Sequence, residues 1–237
     1  MPVFRSIVFS AALAGLIAGV VISVAQFFGT VPLIQQSEAY ERKAAPAPAA
    51  HQHAGAGQDQ AAHSHESEWE PEAGFQRNAF TVGANVLTAI GFALLLTGVY
   101  AIRSRQVTWR EGLMWGLAGF VVFVAAPGLG LPPELPGMPV APLTARQTWW
   151  IATAAATAGG LGLLAFRTSA WAAVLALALI ALPHLIGAPL APENHSEVPA
   201  ALSHRFVVVV TLTSLLFWAL LGVATSIAFG RISRPSA

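Results

Sequence analysis

Six runs of apolar residues, separated by polar and breaker-rich stretches, divide the chain: Ile7 to Phe28, Ala79 to Ile102, Leu113 to Leu131, Trp149 to Phe166, Trp171 to Gly187 and Phe206 to Phe229. A hydrocarbon core about 30 Å thick takes about 20 helical residues at 1.5 Å each, so every run predicts a membrane-crossing helix. The fourth and fifth runs are at the short end, which leaves five crossings as the nearest alternative. The expected fold is all-α, a polytopic integral membrane helix bundle of about six transmembrane helices. It divides into a first transmembrane helix over 1–28, an extramembrane loop over 29–76 and a five-helix bundle over 77–237. The first run follows Arg5 as a secretory signal would. It is too long for an h-region, and Val24-Ala25-Gln26-Phe27 lacks a small-x-small cleavage site, so it reads as a helix.

Small residues recur at four-residue spacing in the first run (Ala11, Gly15, Gly19) and at the head of the third (Gly112, Gly116). Such faces let helix backbones approach closely, and they predict packing rather than a pore. Composition agrees with a membrane protein: 55% of the 237 residues are hydrophobic and 10% charged, which a soluble domain could hardly arrange without large exposed apolar patches. A net charge of +1 and the lack of any basic run argue against a nucleic-acid partner. The absence of cysteine removes disulfides, thiolate metal sites and cysteine nucleophiles together. No Gly-x-x-x-x-Gly-Lys-Ser/Thr loop occurs, so ATP hydrolysis by that route is excluded.

Charge fixes an expected orientation. With both termini cytoplasmic, the inner side carries Arg5, Arg103, Arg105, Arg110, Arg167, Arg231 and Arg234, with Glu111 as its one acid. The other ten acids and all seven histidines then fall outside. Arginine-rich short inner turns are the signature of that topology. Trp109, Trp149, Trp150, Trp171 and Trp218 are expected to be membrane anchors, with indoles bridging hydrocarbon and water.

The outer segments hold the candidate chemistry. The stretch Gly29 to Gln76 has no apolar periodicity and is expected to be a largely disordered, His/Glu-rich loop. It contains His51-Gln52-His53 and His63-Ser64-His65, followed by Glu66, Glu68, Glu70 and Glu72. Residues two apart in an extended chain share a side, so each His-x-His pair can offer two imidazoles to one ion. Imidazole and carboxylate suit cobalt, nickel, copper or zinc, and a loop that must order itself to chelate captures metal loosely. The bland alternative is a solvated low-complexity linker.

Pro127 to Gly137 is a run of breakers that ends the third helix and holds Glu134 between prolines, in irregular backbone near the membrane face. A rigid turn explains the prolines equally well. The fifth run places Leu182-Pro183-His184 one turn before Gly187-Ala188-Pro189. An ionisable residue in a membrane helix is a functional candidate, although His184 is near enough to the helix end for interfacial packing to explain it. His195, Glu197 and His204 follow closely enough to join it and Glu134 at an outer vestibule. Asn85 and Gln26 are the polar residues expected either to line a passage or to bond between helices.

Leu131-Pro132-Pro133-Glu134-Leu135-Pro136-Gly137, Arg146-Gln147 with Trp149-Trp150, and Leu182-Pro183-His184-Leu185-Ile186-Gly187-Ala188-Pro189 together resemble the CbtA-type predicted cobalt transporter subunits. The resemblance implies five spans rather than six. It implies cobalt(II) as cargo, with nickel(II) the close competitor, and no tightly bound cofactor. It also implies a bacterial cytoplasmic membrane location and a small single-span CbtB-type partner. Donor chemistry alone does not select cobalt, because nickel and copper bind such ligands more tightly. The expected function is cobalt uptake by a membrane-spanning, non-enzymatic subunit fed by the outer histidine-rich loop. The expected metal-handling residues are His184, Glu134, His195, Glu197, His51, His53, His63 and His65. Two rivals are an accessory or sensor subunit that does not transport alone, and a membrane redox subunit. The lipid bilayer is a certain partner on this reading, and a homo-oligomer is compatible with it.

Overall fold

The computed structural model describes residues 2–44, 71–72, 74–103, 107–191 and 196–233, and these form helices without any strand. They comprise α1 (Pro2–Phe28), α2 (Val31–Ala44), α3 (Phe75–Arg103), α4 (Trp109–Phe120), a π-helical turn (Val121–Ala125), α5 (Ala126–Gly128), α6 (Leu143–Phe166), α7 (Ala170–Ile186) and α8 (Ala200–Ile232). Five helices are long and apolar enough to cross a membrane: Val3–Phe28, Phe75–Arg103, Trp109–Gly128, Leu143–Phe166 and Ala200–Ile232. The sixth expected helix is present as α7, whose 17 residues span only about 26 Å, the lower limit for a crossing.

The small-residue faces do what their spacing predicts. A Cβ on Gly15 or Gly19 would come within 2.6 Å of the Cα of Ile90 or Val86, so α1 and α3 run antiparallel with their backbones in close approach. At Gly112 and Gly116 a Cβ would strike Ser226, Gly222 or the Trp218 carbonyl, which seats α4 against α8 in the same manner. Between these pairs lie Ala89, Ala93, Leu96, Tyr100, Trp218, Leu221 and Phe229, all buried. The antiparallel order gathers Arg5, Arg103, Arg110, Arg167 and Arg231 at one end of the bundle. Arg103 lies over Trp115 and Phe166 at 5.6 and 5.4 Å from the ring centroids, and Glu111 closes a capping box with Thr108 at the start of α4.

Two expectations change. Residues 31–44 are not a loop: α2 packs Leu33 into a second core with Leu135, Val198 and Phe206. Its Ser37 hydroxyl donates to the Pro136 carbonyl at 2.7 Å. Pro32 in the first turn and Arg42 and Lys43 in the last suit both helix ends, and burial of Leu33 supplies what propensity alone would not. Likewise Trp149 and Trp218 are buried core residues rather than membrane anchors, while Trp109 and Trp171 stay exposed.

Candidate functional site

At the end opposite the arginine cluster, α2, the non-helical stretch 129–142 and residues 196–199 form a cap over the bundle. Gly137 turns there at φ +79, a backbone state that glycine adopts without cost. Its carbonyl accepts from Ser196 Oγ at 3.3 Å. Beneath the cap a cavity of about 600 Å³ runs between α1, α3, α8 and the π turn.

One face of α3 supplies its polar wall: Arg77, Asn78, Thr81, Asn85 and Thr88, recurring at three- and four-residue steps, and then Phe92. From Gly74 to Phe92 that wall is about 27 Å long, so the cavity reaches deep into the membrane-crossing part of α3. Gln26 of α1, Thr30 in the turn that follows it, and Thr213 and Ser214 of α8 face it. Asn85 Nδ2 donates to Gln26 Oε1 at 2.7 Å and to Ser23 Oγ at 3.0 Å. The two residues therefore both line the cavity and tie α1 to α3.

Aromatic rings close the deep end. Phe92 lies 4.7 Å from Trp218 and 5.1 Å from Phe123 by ring centroid, and Phe123 stacks on Trp218 at 5.5 Å with their planes 3° apart. Phe123 belongs to the π turn, where the Ala126 N–H reaches back five residues to the Val121 carbonyl. Such turns put one extra residue into a helix and often occur at functional places. At the mouth, Arg77 is paired with Glu38 of α2 at 2.5 Å. The hydrogen bond from Arg77 holds the Glu38 carboxyl below the usual carboxylate range, outweighing partial burial, which acts the other way.

Of the predicted ligands, Glu134, His184 and Glu197 fall among the described residues, and they do not form a shared cluster. Glu134 is half-buried and forms an ion pair with Arg146 at 3.0 Å, without the alignment of a hydrogen bond, in a groove that Trp150 also lines. His184 is half-buried on α7 with its ring edge-on to Trp149, centroids 5.8 Å apart. Trp149 donates through Nε1 to the Pro183 carbonyl at 3.2 Å. Glu197 and His204 are exposed. His51, His53, His63, His65 and His195 lie outside the described residues. Among the described residues, no three His, Asp or Glu side chains converge to hold a metal ion. The feature that sequence reasoning passed over is the polar stripe on α3, of which only Asn85 was singled out.

No curated protein and no solved structure matches the chain. The family described as "Probable cobalt transporter subunit (CbtA)" matches residues 4–230, almost the whole length and every membrane-crossing helix named above. A match of that extent places this chain in the CbtA family.

Proposed function

We propose that this chain is the membrane-spanning subunit through which cobalt(II) enters the cell, and that the cavity under the α2 cap is the outer half of its path. The cavity carries this reading: it brings amides and hydroxyls from three helices to one open space within the bundle, and irregular or polar elements at that depth are tolerated where they line a pathway. The arginine-rich end of the bundle, opposite the cap, supports the orientation with the mouth outside. A divalent ion moving inward down a 100 mV inside-negative potential gains about 4.6 kcal/mol, at about 2.3 per charge.

In this reading His51, His53, His63 and His65 gather metal loosely on the outer side, and His184, Glu134, His195 and Glu197 receive it before it enters the cavity. Glu134 must leave Arg146 to do so. Nickel(II) is the competitor that these donors would also accept. The word "subunit" in the family description supports a complex, and a small single-span protein is the partner proposed. The test is uptake of radioactive cobalt into vesicles containing the purified chain, with and without that partner. Saturable uptake that requires this chain is expected. Saturable metal binding with no uptake under either condition would instead make it an accessory or sensor subunit.

A further inference from the structure

The cavity's donors and acceptors point to the form in which the ion is taken. We propose that the cavity binds a divalent cation with its water shell intact, through outer-sphere hydrogen bonds from the coordinated waters to the oxygens of Asn85, Gln26 and the hydroxyls around them. This deepens the transport reading above and rests on it for the identity of the cargo.

A metal-bound water has its oxygen lone pair on the metal and can only donate, so a pocket for a hydrated ion must present acceptors. The observed hydrogen bonds bias the wall in that direction. Thr81 Oγ1 donates back to the Arg77 carbonyl at 2.9 Å, Thr30 Oγ1 to the Gln26 carbonyl at 3.2 Å and Ser23 Oγ to the Gly19 carbonyl at 2.7 Å. With those protons committed, the Thr81 and Thr30 hydroxyls, which line the cavity, face a ligand with lone pairs, while that of Ser23 accepts from Asn85. Both amide protons of Asn85 are likewise engaged, by Gln26 and Ser23, which leaves its carbonyl oxygen to meet a ligand.

Stripping the water from a small divalent ion needs carboxylate, imidazole or thiolate ligands in return, and among the described residues none of these lines the cavity. The one charged lining residue among them, Arg77, is neutralised by Glu38. Space is ample: six waters at about 30 Å³ each occupy roughly 180 Å³, against about 600 Å³ in the cavity. Neutral acceptors also hold a cation weakly enough to release it, as conduction requires.

The probe is hexaamminecobalt(III), whose six inert ammines are donors only and cannot be displaced. Equilibrium dialysis with the purified full-length chain should show saturable binding that cobalt(II) displaces. Asn85→Leu should weaken it roughly tenfold, as expected for losing a hydrogen bond to a charged species. Because Asn85 also joins α1 to α3, Thr213→Val and Ser214→Ala serve as near-isosteric variants that remove one acceptor each, and each should weaken binding by about threefold or more. Wild-type protein that fails to bind the ammine complex overturns the proposal, whether or not it binds cobalt(II). Binding unchanged in all three variants overturns it as well. Ammine binding that follows this pattern in a chain whose vesicles take up no cobalt would uphold the hydrated-ion site and reject the transport reading.

Discussion

Trp149 of α6 and Pro183 of α7 are joined by a hydrogen bond of 3.2 Å from the indole Nε1 to the carbonyl oxygen, which also accepts from the Gly187 N–H at 3.1 Å. The same indole forms the wall against which the His184 ring is set. Trp149→Phe removes the donor and part of the indole's buried bulk, while Gly187 still satisfies the carbonyl. The expected loss is therefore at least about 1 kcal/mol, measured as a lower midpoint of unfolding in detergent. Stability equal to wild type would show that neither the hydrogen bond nor the indole's bulk holds the α6–α7 pair together at this end.

His184→Gln and deletion of residues 51–65 should separate a transport ligand from a collector. The deletion is expected to lower cobalt uptake at scarce metal and to matter little when metal is abundant. His184→Gln keeps polarity and approximate size while offering a poorer metal donor, so saturable uptake should be lost at every accessible concentration. Wild-type kinetics in a well-inserted Gln variant would leave His184 as a packing partner of Trp149.

The Glu38 carboxyl, held below its ordinary value of 4.5 by the hydrogen bond from Arg77, gives α2 an acid limit. A lowered folded-state value contributes stability that is fully present above the ordinary carboxylate range and is lost as pH falls through the lowered value. Both side chains are partly exposed, so the pair contributes at most about 1 kcal/mol. Hydrogen-exchange protection along α2, taken relative to the intrinsic exchange rate at each pH, should fall on acidification below pH 4.5. Glu38→Gln should flatten that dependence and lower protection near neutrality toward the level wild type shows in acid, by about fivefold at most. An identical acid response in the Gln variant would assign the effect to another group.

Orientation is open to direct measurement because the chain has no cysteine. Single cysteines at Ser64 and Ser104 should react from opposite sides of the membrane, with Ser64→Cys labelled in intact cells by an impermeant thiol reagent. Labelling of Ser104→Cys under the same conditions would invert the bundle.

The membrane helices were legible because apolar runs near 20 residues have few other uses, and the glycine faces because close backbone approach demands small side chains. The helix α2 was less so. Its apolar contacts, centred on Leu33, are few, and they acquire a partner only when Leu135, Val198 and Phe206 arrive from distant parts of the chain. Trp149 and Trp218 show a related limit: their positions suit a membrane interface, and only the neighbouring helices reveal that the indoles turn inward. The polar stripe of α3 was present in the spacing of Arg77, Asn78, Thr81, Asn85 and Thr88. Its meaning depended on which of α3's faces met α1 and α8, and periodicity within one helix does not say which. Glu134 was correctly placed in irregular backbone, but its pairing with Arg146 crosses a loop and is set by tertiary geometry.

The π turn at Val121–Ala125 means that this stretch contains one more residue than an unbroken α-helix of the same span would need. Shortening a membrane helix by one residue ordinarily rotates everything beyond the cut onto the wrong face. Here excision of a single residue between Val121 and Ala125 would absorb the surplus, leaving Gly112 and Gly116 on α8 and Pro127 in the turn that leads to the cap, while swinging the Phe123 ring away from Trp218. Phe123's place in the cavity's floor is thus set by one extra residue, while Phe92 and Trp218 are held there by α3 and α8.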